Sequence, residues 1–213
     1  WMSLDVAPDG RWLVFDLLGH IYRMPIGGGA AQCLTQNSGI AVNYHPRISP
    51  DGRSIAFVSE RGGYHNLWIM AADGSTPRLV IEERDIVVSA PAWSPDGSYL
   101  IAQRVSTQVS GSYPKASRSL WRYPAGGGAA TELKDESREG VSAPAFSPDG
   151  RELYFQYFAG RDPRNVDHTA SDYKLVKHDL ASGTTKLVAI NGGIVPRPSP
   201  DGRWLAFSRR VPG

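Results

Sequence analysis

Short, predominantly apolar runs separated by polar and glycine-rich segments recur along the chain, each four or five residues long. Runs this short, rich in aromatic and aliphatic side chains, are typical of buried β-strands. No stretch keeps a 3.6-residue apolar period, and Gly and Pro interrupt the chain too often for long helices. The pattern therefore predicts an all-β protein. The runs are Arg11–Phe15, Ser54–Val58, Tyr99–Ala102, Glu152–Phe155 and Trp204–Phe207.

A turn motif stands immediately before each of these runs. Every copy is a small residue followed by Pro-Asp-Gly, which suits a type I turn that closes a β-hairpin. The motif aspartates lie 42, 45, 53 and 52 residues apart, a spacing found in propellers and other repeat architectures. The copies are Ala7–Gly10, Ser49–Gly52, Ser94–Gly97, Ser147–Gly150 and Ser199–Gly202.

Each repeat contains four strands, which is the number in a propeller blade. One strand precedes the turn motif, one follows it, and two more are joined by a glycine-bearing turn. The sequence predicts a β-propeller of four-stranded antiparallel blades, incomplete, with four full repeats and half of a fifth. We expect one propeller segment over residues 1–213, truncated at both ends.

The amino-acid composition argues against some classes of function. The chain is 41% hydrophobic and carries a net charge of +2 without clustered Lys and Arg, so we expect no nucleic-acid partner. No apolar run approaches the roughly 18 to 20 residues that cross a bilayer, so we expect no transmembrane segment. The single cysteine, Cys33, fits core packing in a fourth strand.

The repeats differ in length mainly between their second and third strands. The two longest of these connections, Gln103–Ser117 and Tyr157–Ser171, fall at the same point of the blade. In a four-stranded blade they share a face with the loops that lead into the first strands, whereas the Pro-Asp-Gly turns lie on the opposite face. Variable loops grouped on one face are where repeat proteins usually bind.

We therefore expect a polar, arginine-rich binding face that contacts a partner domain, a peptide or an anionic group. The alternative is an ordinary solvated surface. The candidate residues are Tyr44, His45, Arg61, Tyr64, His65, Arg104, Tyr113, Arg118, Arg161, Arg164, Asp167 and His168.

Catalytic signatures are absent from the sequence. The five histidines form no His-x-His pair and no His-Glu-x-x-His motif, and no Gly-x-Ser-x-Gly elbow presents a serine. The glycine runs at 27–29 and 126–128 align with turns between third and fourth strands, not with a phosphate-binding loop. Asp167 and His168, with Asp172, form the only acidic and imidazole cluster in a variable loop. We expect no catalytic, cofactor-binding or metal-binding residue in this segment.

The repeat resembles that of TolB-like propellers. The resemblance is carried by Ile48–Arg61, which includes the Ser-Pro-Asp-Gly-Arg turn, followed by Asn66–Met70 and Ala72–Ser75, and it extends over essentially the whole chain. The opening Trp1–Tyr22 with Pro25–Gly29 is more specifically similar to the start of the propeller that precedes the catalytic domain in bacterial metal-dependent amidohydrolases. His20 departs from that pattern, which has an acidic residue there.

This resemblance implies an exported, periplasmic enzyme whose metal site, for zinc or another divalent ion, lies in another domain. The propeller itself would then be non-catalytic, with the catalytic domain of the same polypeptide or another envelope protein as its partner. Two alternatives stay open. One is a stand-alone TolB-like propeller that binds envelope proteins, and the other is the gating propeller of a prolyl-oligopeptidase-type serine hydrolase.

Overall fold

Eighteen strands form five antiparallel sheets that follow one another along the chain. The structure, a computed structural model, describes residues 2–110, 113–133, 140–158, 173–189 and 193–209, and its description of side chains leaves out residues 107–117. Four sheets have four strands and the fifth has two, and the described residues include no helix. The predicted all-β propeller with four full repeats and half of a fifth is confirmed.

Each sheet is one blade, and the strands of each blade pair in chain order. The first blade contains β1 (Leu4–Val6), β2 (Trp12–Leu17), β3 (His20–Pro25) and β4 (Gln32–Cys33). The second contains β5 (Asn43–Ile48), β6 (Ser54–Ser59), β7 (Asn66–Ala71) and β8 (Arg78–Leu79). The third contains β9 (Ile86–Trp93), β10 (Tyr99–Ser110), β11 (Tyr113–Pro124) and β12 (Thr131–Leu133).

The last two blades follow the same order. The fourth contains β13 (Ser142–Phe146), β14 (Glu152–Phe158), β15 (Tyr173–Asp179) and β16 (Thr185–Ala189). The fifth contains β17 (Ile194–Pro198) and β18 (Leu205–Ser208). The first strands of successive blades, β1, β5, β9, β13 and β17, lie next to one another and form the inner wall of the propeller.

The hydrophobic core lies between blades, because both faces of an inner sheet are covered. In β6, Phe57 packs toward the first blade with Trp12 and Val14, while Ala56 packs toward the third blade with Leu100. A third cluster, which includes Phe155, joins the third and fourth blades. Burial on both faces explains why Ile55 to Val58 of β6 form an uninterrupted apolar run.

The Pro-Asp-Gly motifs form the predicted hairpin turns. In the second copy the Ser49 hydroxyl donates to Asp51 at 2.6 Å, and that carboxylate accepts the Arg53 amide at 3.0 Å. Successive turns also touch one another, since a Cβ built on Gly150 would lie 3.4 Å from Pro95 of the preceding motif. We call the side that carries these turns the turn face, and the opposite side the loop face.

The connection predicted as a long loop at Gln103–Ser117 is different in the structure. Strands β10 and β11 continue as twelve paired residues each, so most of this segment is a β-hairpin that extends beyond the blade. Alternating β-branched and polar residues, such as Val105, Thr107 and Val109, favour this extended pairing.

Candidate functional site

The candidate residues of the second blade lie together on the loop face. Tyr44 and His45 are on β5, not in the loop before it, and Tyr64 and His65 lie in the connection between β6 and β7. The Tyr44 hydroxyl lies 2.8 Å from His65 Nδ1, and His65 Nε2 lies 3.2 Å from Glu60 Oε1. Tyr64 is half-buried beside this chain of contacts.

Tyr44, His65 and Glu60 are connected in the order of a proton relay, but the pKa of Tyr44 does not suit that role. Burial, together with the Glu60 carboxylate, raises the pKa of Tyr44 to about 12. A hydroxyl that holds its proton so firmly is a poor nucleophile or general base near neutral pH. These contacts therefore fix the loop around His65, and the expectation that this segment holds no catalytic residue stays a prediction.

Two of the predicted arginines are paired with nearby side chains of the protein. Arg61 donates to Ser59 Oγ at 3.0 Å and to Asn43 Oδ1 at 3.0 Å, and it lies 5.1 Å from the ring centroid of Trp68. Arg104 pairs with Glu83 at 2.9 Å. It also stacks on Trp121, 4.2 Å from the ring centroid. These guanidinium groups hold the blades and are not a free cationic rim.

The other candidates are dispersed or undescribed. Arg118 is exposed on β11, and Tyr113 begins that strand, although the description of side chains leaves Tyr113 out. Arg161, Arg164, Asp167 and His168 lie outside the described residues. The structure therefore brings together the second-blade candidates, and the binding role of the loop face as a whole stays a prediction.

A second group of charges was missed by the sequence analysis and lies on the inner wall and on the strand β2 beside it. We call it the axial cluster, and it consists of Asp5, Asp16, His45, Arg47 and Arg197. The clustering is electrostatic as well as topological, because the charges of Asp5 and Arg197 both act on Arg47 although they come from the first and fifth blades. Four of the five members lie on the first strands of their blades, and Asp16 lies on the neighbouring strand β2.

Backbone amides hold the two acidic members of the axial cluster. Asp16 accepts hydrogen bonds from the Ser3 amide at 2.9 Å and from the His45 amide at 2.7 Å. Asp5 accepts one from the Ile48 amide at 2.8 Å. The bonds from the His45 and Ile48 amides also tie the second blade to the first, since both acceptors lie in the first blade.

His45 is neutral at physiological pH. Burial, with a smaller contribution from the nearby Arg47 charge, lowers the pKa of His45 to about 4. Its Nδ1 lies 3.2 Å from the Ala90 amide nitrogen, which can only donate, so the ring proton resides on Nε2. His45 thus serves as an acceptor between the second and third blades.

The inner strands of the last four blades share an unusual backbone feature. His45, Ala90, Ala143 and Val195 each precede a proline and have φ values between 48° and 54°. Each residue sits at a break in strand register, so a β-bulge recurs at this level of the axis. Non-glycine residues rarely adopt this conformation, and such strain concentrates at functional sites. A lone X-Pro dipeptide was the only sequence signal.

The described residues contain no group of three His, Cys, Asp or Glu side chains that could hold a metal ion. Among them there is also no helix long and apolar enough to cross a membrane.

Comparison with known proteins agrees with this fold. No family model matches the chain. An uncharacterized protein of Agrobacterium fabrum is 28% identical over 94% of this chain and 63% of its own length. An uncharacterized peptidase of Bacillus subtilis is 30% identical over 78% of this chain and 22% of its own length. The chain thus spans less than two thirds of these curated relatives.

Solved structures show the same architecture. A putative TolB from Agrobacterium tumefaciens aligns with a TM-score of 0.72 at 22% identity, over 97% of this chain and 69% of that one. TolB from Acinetobacter baumannii aligns at 0.69 and 15% identity, over 100% and 47%. The tricorn protease aligns at 0.66 and 14% identity, over 97% and 24%. The chain has a TolB-like propeller fold, which also occurs as a propeller domain in peptidases.

Proposed function

We propose that this chain is the non-catalytic propeller of a larger hydrolase and that it controls which ligands reach a catalytic domain of the same polypeptide. The observation that carries the proposal is the axial cluster, because it places charged side chains where the first strands of all blades converge. Propellers that combine a regular scaffold with polar side chains at one end are suited to recognition.

The proposed class of hydrolase is based on the resemblance of the opening residues to a known family of propellers. The opening residues, Trp1–Tyr22, resemble the propeller of metal-dependent amidohydrolases, in which zinc or another divalent ion is bound by a separate domain. A relative described as a peptidase supports an amide bond as the substrate class. We extend the proposal to an exported protein in the periplasm, as TolB-like propellers imply.

The first test is made on the full-length polypeptide. We expect it to contain a bound divalent metal and to hydrolyse amide substrates in a manner that a chelator abolishes and added metal restores. Activity that survives chelation but is lost to a serine-directed inhibitor would replace the metal-dependent class with the serine class. Absence of amide hydrolysis under both conditions would contradict the hydrolase proposal.

The second test addresses control of access. His65→Ala breaks the Tyr44–His65–Glu60 chain on the loop face, and Arg11→Ala is the matched control on the turn face, where Arg11 is exposed. We expect His65→Ala to change kcat/KM for a long peptide about threefold or more and to leave a small chromogenic amide unchanged. Equal effects on both substrates, or equal effects of both variants, would argue against a filtering role.

A stand-alone binding propeller is the second candidate. It is favoured by the TolB structures, whose alignments span nearly all of this chain at TM-scores of 0.72 and 0.69. In that case the full-length protein would lack amidase activity, and cross-linking in envelope extracts would capture a protein partner through the loop face. Loss of that cross-link in His65→Ala, but not in Arg11→Ala, would support this candidate.

A further inference from the structure

A cation stands at one position of the third strand in three of the four complete blades. The strand registers place Arg23, Arg122 and Lys177 there, each opposite the third residue of the second strand of its blade. Two of these cations lie on the aromatic residue that begins that second strand. Arg23 lies 4.1 Å from the ring centroid of Trp12, and Arg122 lies 4.0 Å from that of Tyr99.

The second blade lacks both the cation and the ring. Ile69 stands at the position of the cation, and Ser54 stands at the position of the aromatic residue. Ile69 has no charge, and Ser54 is much smaller than an aromatic side chain. A cleft of about 540 Å³ opens there on the turn face, between the second and third blades, and both residues line it. The second blade therefore leaves open a place that the first and third blades fill with their own side chains.

Trp93 provides an aromatic wall of this cleft from the side of the third blade. Its Nε1 donates to the Arg47 carbonyl of the second blade at 3.0 Å, which fixes the orientation of the half-buried ring. Within the described parts of the chain, five contacts place a guanidinium over an aromatic ring, and none of them involves Trp93. The cleft thus contains a ring without the cation that accompanies Trp12 and Tyr99.

The charges of the cleft favour a cation. Asp51 and Asp96, one from each of the two adjoining turn motifs, line it, and hydrogen bonds from serine hydroxyls lower the pKa of both carboxyl groups. Arg78 is the one basic residue among the described residues of the lining, and its Nη2 donates to the neutral Ala125 carbonyl at 2.5 Å. Ser98 follows the third motif where an arginine follows the other four. Two carboxylates and one guanidinium leave the lining with one net negative charge.

We propose that this cleft binds a guanidinium group on the indole ring of Trp93 and that an arginine side chain of a peptide or protein segment presents it. A planar guanidinium stacks on an aromatic face, and the carboxylates of Asp51 and Asp96 supply the compensating charge. The ligand takes the place that Arg23 holds in the first blade, where the guanidinium stacks on a ring and donates to the Ala72 carbonyl of the next blade. The inference goes beyond the proposed function, because it concerns the turn face and involves no hydrolysis.

The test measures binding to the full-length protein through the indole N–H signals of isotope-labelled tryptophan. The probes are acetyl-Ala-Arg-Ala-amide, the same peptide with citrulline, which has the same shape without the charge, the same peptide with lysine, and agmatine as a free guanidinium compound. We expect the arginine peptide to shift the Trp93 signal, identified by its absence in Trp93→Phe. It should bind about tenfold or more tightly than the citrulline peptide, with the lysine peptide between them because an ammonium group is not planar.

Two variants test the position of the ligand. Ile69→Arg reproduces the residue of the first and third blades, so it should remove the preference for arginine over citrulline by supplying the cation from within the chain. Asp96→Asn deletes one carboxylate of the cleft and should weaken binding of the arginine peptide about threefold. Asp9→Asn, the matched change in the first turn motif, should leave that binding unchanged. If Ile69→Arg fails to fold, the comparison of Asp96→Asn with Asp9→Asn gives the test.

Three results would overturn the assignment. The first is equal binding, or no binding, of the arginine and citrulline peptides. The second is binding that leaves the Trp93 signal in place or keeps its preference in Ile69→Arg. The third is an equal effect of Asp96→Asn and Asp9→Asn, which would mean that only the net charge of the protein matters. Tighter binding of agmatine than of the arginine peptide would overturn the peptide as the source of the guanidinium group.

Discussion

Trp12 and Trp204 stand at the same place in the same local sequence, Gly-Arg-Trp-Leu, directly after the turn motif. Trp12 is 8% exposed and belongs to the core between the first and second blades, whereas Trp204 is 75% exposed. The local sequence is the same, yet one indole is a core residue and the other faces solvent.

The neighbouring blade accounts for the difference. Trp12 packs with Phe57 and Met70 of the second blade, and Arg23 covers its ring at 4.1 Å while donating to the Ala72 carbonyl. Among the described residues, which extend to 209, no sheet follows the fifth blade to cover Trp204. Burial in this architecture is therefore a property of two adjacent blades, and a single repeat does not determine it.

Replacing each tryptophan with alanine tests this comparison most strongly. Trp12→Ala should lower the free energy of unfolding of this chain by about 3–5 kcal/mol, because it empties a core site. Trp204→Ala should change it by only about 0.5 kcal/mol. Urea unfolding followed by circular dichroism measures both. Similar losses at the two positions would show that the repeat itself decides burial.

Two arginine–glutamate pairs extend the comparison to charges. Arg104→Ala should cost about 2 kcal/mol, since it leaves Glu83, whose side chain is 11% exposed, without its partner. Arg84→Ala should cause no measurable change, because Arg84 and Glu82 are both largely exposed. Thermal unfolding of the two variants gives the answer, and a matching loss in Arg84→Ala would refute the role of burial.

Alanine substitutions at two turn glycines can distinguish the cost of backbone strain from the cost of crowding by a neighbouring residue. Gly150 and Gly10 have φ values of 72° and 67°, so alanine at either one should cost about 1 kcal/mol of backbone strain. Only Gly150 has a neighbour, Pro95 at 3.4 Å from an added Cβ. We expect Gly150→Ala to be the more destabilising of the two in urea unfolding. Equal losses would mean that the contact between successive turns contributes nothing.

The smallest expected effect is a pH dependence at the turns. Hydrogen bonds from the Ser94 hydroxyl, followed by the Ser98 amide and hydroxyl, lower the pKa of Asp96 to about 2. Because the folded pKa lies below the unfolded one, near 4, this stabilisation is present above pH 4 and is lost as the pH falls toward 2. Ser94→Ala should flatten the stability curve in that window. Ala7→Ser should steepen it by giving Asp9 the same hydroxyl partner, and no change in either variant would contradict this account.

The sequence was sufficient to predict the strands and blades, because these depend on interactions between residues that are close together in the sequence. Turn motifs such as Ser49–Gly52 close hairpins through their own side chains, and short apolar runs follow them. The spacing of the repeats then predicted the order of the blades along the chain. The loop predicted at Gln103–Ser117 was wrong, because most of this segment belongs to the extended hairpin of β10 and β11. Its alternating polar residues are equally compatible with a solvated loop.

The axial cluster could not be predicted in the same way. Arg47 and Arg197 are 150 residues apart in the numbering, and their relation depends on how far the blades turn about the axis. Conversely, Arg61 and Arg104 looked free because the sequence does not show that Asn43 and Glu83 approach them. A comparison of equivalent repeat positions, with Arg at two and Ala at two, was the signal available.

The bulges on the inner wall also affect how force would travel through the molecule. Hydrogen bonds at this level cross from each blade to the next, as with Gln103 to the Val141 carbonyl and the Val195 amide to Gln156. These bonds are not part of the strand pairing within a sheet, so each blade is attached mainly to the blades beside it. Under tension applied to its two ends, such a chain would extend in discrete steps of one blade.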